Sequence, residues 1–250
     1  MDISVVLNAH HEGMLAHPSC SSIELAKAFA EEAGISVEVL VIVDRPSPET
    51  TGFLAHRCPK EWKIVRVEFG DPGSSRNEGV RLAKGRWIAF LDADDLFGVN
   101  WLRDAYRAAE SDPREVVWHP EINIRFGAAN YVFYHADMEE DGFELAGLVC
   151  ENCWSALCFA RKQLIQEVPY PRTKRDSQIG FEDWGWNLAV ITRGAIHKVV
   201  PGTGHIIRAK EQGSQVATDS NARSIPAPCG PLVHWLQQRA PVTRGVEETA

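Results

Sequence analysis

The chain has 250 residues, 44% hydrophobic and 24% charged, the balance of an ordinary globular protein, so composition excludes global disorder. A formal net charge of −8 and a pI near 5.6 argue against a nucleic-acid backbone as partner, while leaving room for a small phosphorylated ligand held by a metal or a local arginine. There is no apolar run near the roughly 20 residues of a membrane-spanning helix, Asp2 stands where a signal peptide carries positive charge, and six cysteines are too sparse for a disulfide framework; the expectation is a cytoplasmic chain with reduced thiols.

The chain opens on a short apolar run, 3–7, that reads as a strand covered on both faces and ends near Asn8. Ser21 and Glu24 have capping-box spacing and start an Ala-rich helix that stops at Gly34. A second buried strand, 37–43, ends at Asp44. Pro46 and Pro48 break the chain, a short helix is expected over 51–56, and 62–69 alternates as a third strand. Ser75 and Glu78 repeat the capping-box spacing, their helix stops near Gly85, and 86–91 is a fourth strand followed by Asp92, Ala93, Asp94 and Asp95.

Past an expected N-cap at Asn100 the pattern is less regular. Strands are predicted at 116–118, 122–126 and 131–135, with Trp118-His119-Pro120-Glu121 read as a strand end. A helix is predicted over 183–192 with Gly194 as its stop, and 219–250 reads as a loosely held tail with a helical turn or two at 232–236. Alternating strands and helices with short links predict an α/β fold, a mostly parallel Rossmann-like sheet flanked by helices. Ligands collect at the carboxyl ends of such strands, and Asn8, Asp44 and Asp92 all fall there.

Asp92 and Asp94 flank one residue just after a buried strand, where a turn can aim both carboxylates at one point. Hard cations such as Mn2+ or Mg2+ prefer oxygen ligands and are commonly held by one or two carboxylates plus substrate phosphates. Alone, an Asp-x-Asp more often only caps the next helix. Here the stretch 75–95, SRNEGVRLAKGRWIAFLDADD, closely resembles the signature of family 2 nucleotide-sugar glycosyltransferases. The resemblance implies a GT-A fold in one domain over 1–218, with a donor half (1–99) and an acceptor and catalytic-base half (100–218). It implies transfer of a sugar from a nucleotide diphosphate donor, UDP by analogy, to a glycan or other hydroxyl acceptor, with inversion at the sugar carbon. It places Asp92 near the ribose, Asp94 on the metal, Arg76 near the donor and Asp44 at the base.

The sequence Gly180-Phe181-Glu182-Asp183-Trp184 is similar to the Glu-Asp motif that supplies the family's catalytic base, making Asp183 the base and Glu182 and Trp184 neighbours of the acceptor. At a helix start, Asp183 is expected to be kept ionised by the dipole, with limited proton affinity. After the first strand, Asn8-Ala9-His10-His11-Glu12 resembles the variant seen in relatives that act on polypeptides, and puts Ala9 and Glu12 beside the donor. The segment 204–208 with Ser214 resembles the part that closes over the diphosphate, making His205 a candidate metal ligand and Arg208 a phosphate neutraliser. Asn152, Trp154 and Ser155 are candidates for an acceptor wall, with Trp154 equally readable as core.

Two other classes compete. His10-x-Glu12 with Cys150-x-x-Cys153 echoes a zinc hydrolase of the deaminase type, although Val149 stands where that pattern has proline. A nucleotide-sugar binding protein without turnover is the other, kept open by Asn8 and Arg45. Dinucleotide and P-loop enzymes are disfavoured, because Gly202-x-Gly204 has Ile207 at the third glycine position and no P-loop motif occurs.

Overall fold

A computed structural model describes residues 1–174, 176, 178–210 and 215–227. The first half alternates as expected: β1 (Ile3–Ala9), α1 (Ala16–Glu31), β2 (Val37–Asp44), α2 (Pro48–Arg57), β3 (Lys63–Val67), α3 (Pro72–Leu82), β4 (Trp87–Asp92), β5 (Leu96–Phe97) and α4 (Trp101–Ser111). The second half adds β6 (Val116–Gly127), β7 (Tyr131–Tyr134), β8 (Phe159–Arg161), α5 (Lys162–Glu167), α6 (Glu182–Thr192), β9 (Ile196–Ala209) and α7 (Gln215–Asn221). The described strands form one mixed sheet in the order β3-β2-β1-β4-β8-β6-β9-β5, with β7 paired to β6. Strands β3, β2, β1 and β4 are parallel, as are β6 and β9.

The reason β1 reads as continuous apolar sequence is visible in its two faces. Ile3, Val5 and Leu7 point into a core layer built with α1 and α4, while Val6 points into the opposite layer with Val80, Leu164 and Trp186 from α3, α5 and α6. Helix α3 reaches the sheet through Gly79. A Cβ there would stand 2.4 Å from Val6 Cγ1, so this approach requires glycine. The close approach brings the first turns of α3 against the carboxyl ends of β1, β2 and β4.

Several boundaries differ from those expected, each for a local reason. Helix α1 starts at Ala16 rather than Ser21, because a 3-10 turn over Gly13–Leu15 already winds the chain into it. The cap of α3 is Asp71, whose Oδ1 accepts from Ser74 N 2.7 Å away, with Pro72 opening the helix; Ser75 instead donates to Asp44 Oδ2 at 3.0 Å. The segments 116–118 and 122–126 are one strand carried through Pro120 at a shift of register against β9. Strand β9, absent from the predicted elements, contains Pro201, Gly202 and Gly204 and is held by β6 on one side and β5 on the other. The tail expected from Asp219 begins inside α7, and Asp219 is buried; residues 232–236 lie outside the described residues. Among the described residues, no helix is long and apolar enough to cross a membrane.

Beneath the second half lies a stack of buried rings. Trp154 lies 4.0 Å from His197 between centroids, His197 5.1 Å from His119, and His119 5.3 Å from His135. His119 Nε2 and His197 Nδ1 share one proton at 2.8 Å. Burial holds His135 at about 4, His197 at about 3 and His119 well below the ordinary 6.5. A histidine depressed in the folded state contributes stability above about pH 6.5 that is lost as pH falls, because the unfolded chain then takes up the proton first. The carboxylates raised by burial near the cleft act in the opposite sense, so the effect is isolated by difference. The stability of the protein minus that of a His197→Leu variant, from urea melts, is expected to shrink by about 1.4 kcal/mol per pH unit between roughly pH 6.5 and 4.5. A difference independent of pH would contradict the buried neutral state of His197.

Candidate active site

The carboxyl ends of the parallel strands meet in register. Asn8 pairs with Ile42 of β2 and Asp92 of β4, and Ala9 with Val43, so Ala9, Asp44 and Asp92 share one rim. They border a cleft of about 580 Å³, lined also by His10, His11, Glu12, Arg45, Asp71, Ser75, Arg76, Asp94, Glu182, Asp183, Lys210 and Asp219. Two acidic motifs more than 80 residues apart in sequence therefore face one space. The Asn8 carboxamide is buried at the floor with no hydrogen-bond partner on either end among the described residues.

Arg76 ties the two motifs together. It is 2% exposed, its Nη1 donates to Glu182 Oε1 at 2.5 Å and its Nη2 to Asp92 Oδ1 at 3.2 Å. Burial would pull the guanidinium down, but Asp92 and Glu182 hold it above its ordinary value, so it stays charged. Burial pushes Glu182 up to about 7 against the pull of Arg76. Glu182 is therefore spent on the bridge and nearly buried at the cleft wall.

Asp183 is differently placed. It lines the cleft, is only partly buried, and its Oδ2 accepts from Asn152 Nδ2 at 3.2 Å, while Asn152 is itself oriented through Oδ1 by Asn187 Nδ2 at 3.1 Å. Burial raises the Asp183 carboxyl above its ordinary 3.8, with Arg76 opposing. The limited proton affinity expected at a helix start is offset by burial: desolvation outweighs Arg76 and the backbone hydrogen bonds of the first turn, so the carboxylate takes up a proton more readily than a surface aspartate.

The turn before α6 is under constraint. Phe181 sits in the left-handed region at φ 50°, its N–H donating to Asp219 Oδ2 at 3.1 Å. At Gly180 a Cβ would meet the Asp219 carboxylate carbon at 2.5 Å, so glycine lets α7 close on this turn. Asp219 thereby anchors the turn from which α6 begins. No local sequence signal pointed to it.

At the end of β2, Asp44 is fully engaged. Oδ1 accepts from Gly70 N at 2.9 Å, and Oδ2 from Asp71 N and Ser75 Oγ at 3.0 Å, which pins the loop before α3 to the end of β2. Glu12 accepts from His10 N at 2.5 Å and so shapes the turn after β1. Asp94 is 7% exposed, raised by burial, and forms an ion pair with Lys210 Nζ at 2.8 Å. Arg208 lies just behind, its Nη1 3.6 Å from the same Asp94 oxygen and its N–H donating to Asp95 Oδ1 at 2.8 Å.

Other expected site residues stand elsewhere. His205 is fully buried and not among the residues lining the cleft, its ring 4.8 Å from Trp101 and 5.1 Å from Phe97 between centroids, because its place on β9 turns it under β5 and α4. Trp154 is core rather than acceptor wall: 2% exposed, it stacks on His197 and donates to Ala136 O at 2.7 Å. Ser155 Oγ is 3.1 Å from His135 Nε2. Trp184 packs beside this cluster and donates to Leu148 O at 2.9 Å, away from the cleft lining. Ser214 lies outside the described residues.

The donor set suits a hard divalent ion, since Asp92 and Asp94 offer carboxylate oxygens at one end of the cleft. Among the described residues there is no group of three or more His, Cys, Asp or Glu side chains placed to hold a metal. An ion at Asp94 would thus complete its shell from a bound ligand. The same finding removes the geometric basis of the zinc-hydrolase reading: Cys150 is exposed, and the His10 ring bonds Asp44 O.

Comparison with known proteins agrees with this geometry. The chain is 33% identical over 88 residues to succinoglycan biosynthesis protein ExoO of Rhizobium meliloti, covering 35% of this chain and 25% of that protein. It is 24% identical over 136 residues to glycosyltransferase GlyG of Streptococcus pneumoniae, covering 53% and 43%. It therefore spans less than half the length of these relatives. Among solved structures it resembles S. aureus TarS 1–349 in complex with UDP-GlcNAc (TM-score 0.65, 15% identity, 87% of this chain and 61% of that one). It also resembles mannosyltransferase PcManGT from Pyrobaculum calidifontis in complex with GDP-Man and Mn2+ (TM-score 0.61, 14% identity, 93% and 68%). These likenesses establish the GT-A fold. The model of glycosyl transferase family 2 matches residues 24–167, ending before Glu182 and Asp183 but covering more than half of the protein, and the chain belongs to that family.

Proposed function

We propose that the chain transfers a sugar from a nucleoside diphosphate donor to an acceptor hydroxyl with inversion. The observation that carries this reading is the convergence of Asp92 and Asp94 with Glu182 and Asp183 on one cleft, joined through buried Arg76. A diphosphate leaving group needs its charge stabilised at one end of such a cleft, and an acceptor hydroxyl needs a base at the other.

Asp183 is the base, because Glu182 is committed to Arg76 while Asp183, the more exposed of the two, is oriented by Asn152. In a single displacement Asp183 takes the hydroxyl proton, the acceptor oxygen bonds to the anomeric carbon, and the bond to the diphosphate oxygen breaks with its electron pair leaving on phosphate. Inversion follows from that one step. Asp94, with Asp92 beside it, would hold Mn2+ or Mg2+, which neutralises the departing diphosphate. Asn8, with both polar ends unpartnered among the described residues, is placed to meet a polar group of the donor.

Three outcomes test this. Asp183→Asn should bind donor as the unchanged protein does and lose transfer by roughly 100-fold or more, measured as product formed from a nucleotide-sugar panel; unchanged transfer would move the base elsewhere. The acid limb of kcat/KM should lie above the ordinary aspartate range, because activity requires ionised Asp183 and burial raises its pKa. Arg76→Met leaves two carboxylates facing each other without a cation and should cost about 3–5 kcal/mol of stability. A loss below about 1 kcal/mol in a denaturant titration would show that the bridge does not organise the site.

A further inference from the structure

Among the described residues, eight carboxylates line the cleft against three permanent cations, Arg45, Arg76 and Lys210. An anionic diphosphate entering such a space needs positive charge free to meet it. Arg76 is buried with both arms taken by Glu182 and Asp92, while exposed Arg45 keeps its charge but is turned by Nε and Nη2 onto the carbonyl of Glu68. Lys210 differs from both. It stands just past the end of β9, its side chain is 28% exposed, and its ion-pair partner among the described residues is Asp94 at 2.8 Å. That is the carboxylate which, on the reading above, holds the divalent ion.

An ion on either oxygen of the Asp94 carboxylate would stand within a few ångströms of the Lys210 ammonium, and like charges that close repel strongly in a partly buried site. A lysine is a point charge on a four-carbon stem, able to turn away from one oxygen and meet another nearby. Arg208, whose guanidinium stands at 3.6 Å from the same oxygen, limits how far the displaced charge can retreat. The open direction is the cleft.

We propose that Lys210 is an exchangeable counter-ion: it neutralises Asp94 before donor arrives, and moves onto the diphosphate when Asp94 takes up the metal. This rests on the donor reading of the cleft. It makes metal and nucleotide bind cooperatively, since metal alone must bind against the charge of Lys210 with nothing to receive that ammonium. The chain would then hold Mn2+ weakly when empty and firmly with a nucleoside diphosphate present.

The test is a Mn2+ titration of the purified chain followed by electron paramagnetic resonance, beside calorimetric titration of UDP and GDP at saturating Mn2+, for the unchanged protein, Lys210→Met and Lys210→Arg. Lys210→Met should bind Mn2+ alone about 10-fold more tightly, having lost its competitor, and bind the nucleoside diphosphate about 10-fold more weakly, each a change of about 1.4 kcal/mol. Lys210→Arg should restore the nucleotide affinity. Unchanged or weaker Mn2+ binding by Lys210→Met, or no Mn2+ binding by any of the three, would overturn the proposal. If Mn2+ tightens in Lys210→Met but nucleotide affinity does not fall, the proposal fails while the donor reading stands; if neither nucleotide binds any form, the donor reading fails and the proposal with it.

Discussion

A buried guanidinium must be surrounded by negative charge, and Arg76 meets that demand by drawing on distant parts of the chain. Its own helix, α3, is pressed to the sheet at Gly79; Asp92 comes from the end of β4, and Glu182 from the first turn of α6, 106 residues away. A buried charge left with one partner would be costly, so the three segments hold a fixed relation. Asp94 and Asp183 inherit their positions from that relation, each being a near neighbour of a residue on the bridge.

The bridge also divides labour between adjacent acids. Glu182 gives up its carboxylate to Arg76, which leaves Asp183 as the more exposed and uncommitted acid of the pair. On the other side Asp92 turns toward Arg76 and Asp94 toward Lys210. Asp44, engaged by three donors from the loop before α3, holds that loop against β2. Polar groups read as direct ligand contacts thus include several whose first task is to place their neighbours.

How far the sequence was legible follows from how local each signal is. Strands β1, β2 and β4 were readable because both faces are covered, which leaves unbroken apolar runs, and the acids after β2 and β4 followed at once. Capping was read less well: Ser21-Glu24 and Ser75-Glu78 have the right spacing, yet the first pair lies inside α1 and the real cap of α3 is Asp71. Strand β9 hid behind Pro201, Gly202 and Gly204, residues that argue against a strand unless neighbours on both sides hold it. His205 and Trp154 were placed near the ligand by the company they keep in sequence, whereas strand direction and ring packing turn both into the core. Lys210 and Asp219 gave no signal, since their meaning comes from contacts with residues 116 and 38 positions away.

In the proposed function, two acidic motifs act on one anionic donor across a single cleft. Crystals grown with Mn2+ and a nucleoside diphosphate test it directly through the anomalous signal of manganese. The expected result is a manganese peak bonded to a carboxylate oxygen of Asp94 and to a diphosphate oxygen, with the Asp183 carboxylate facing the position the sugar would occupy. A manganese peak away from Asp94, or a nucleotide outside the space between Asp92 and Asp183, would contradict it.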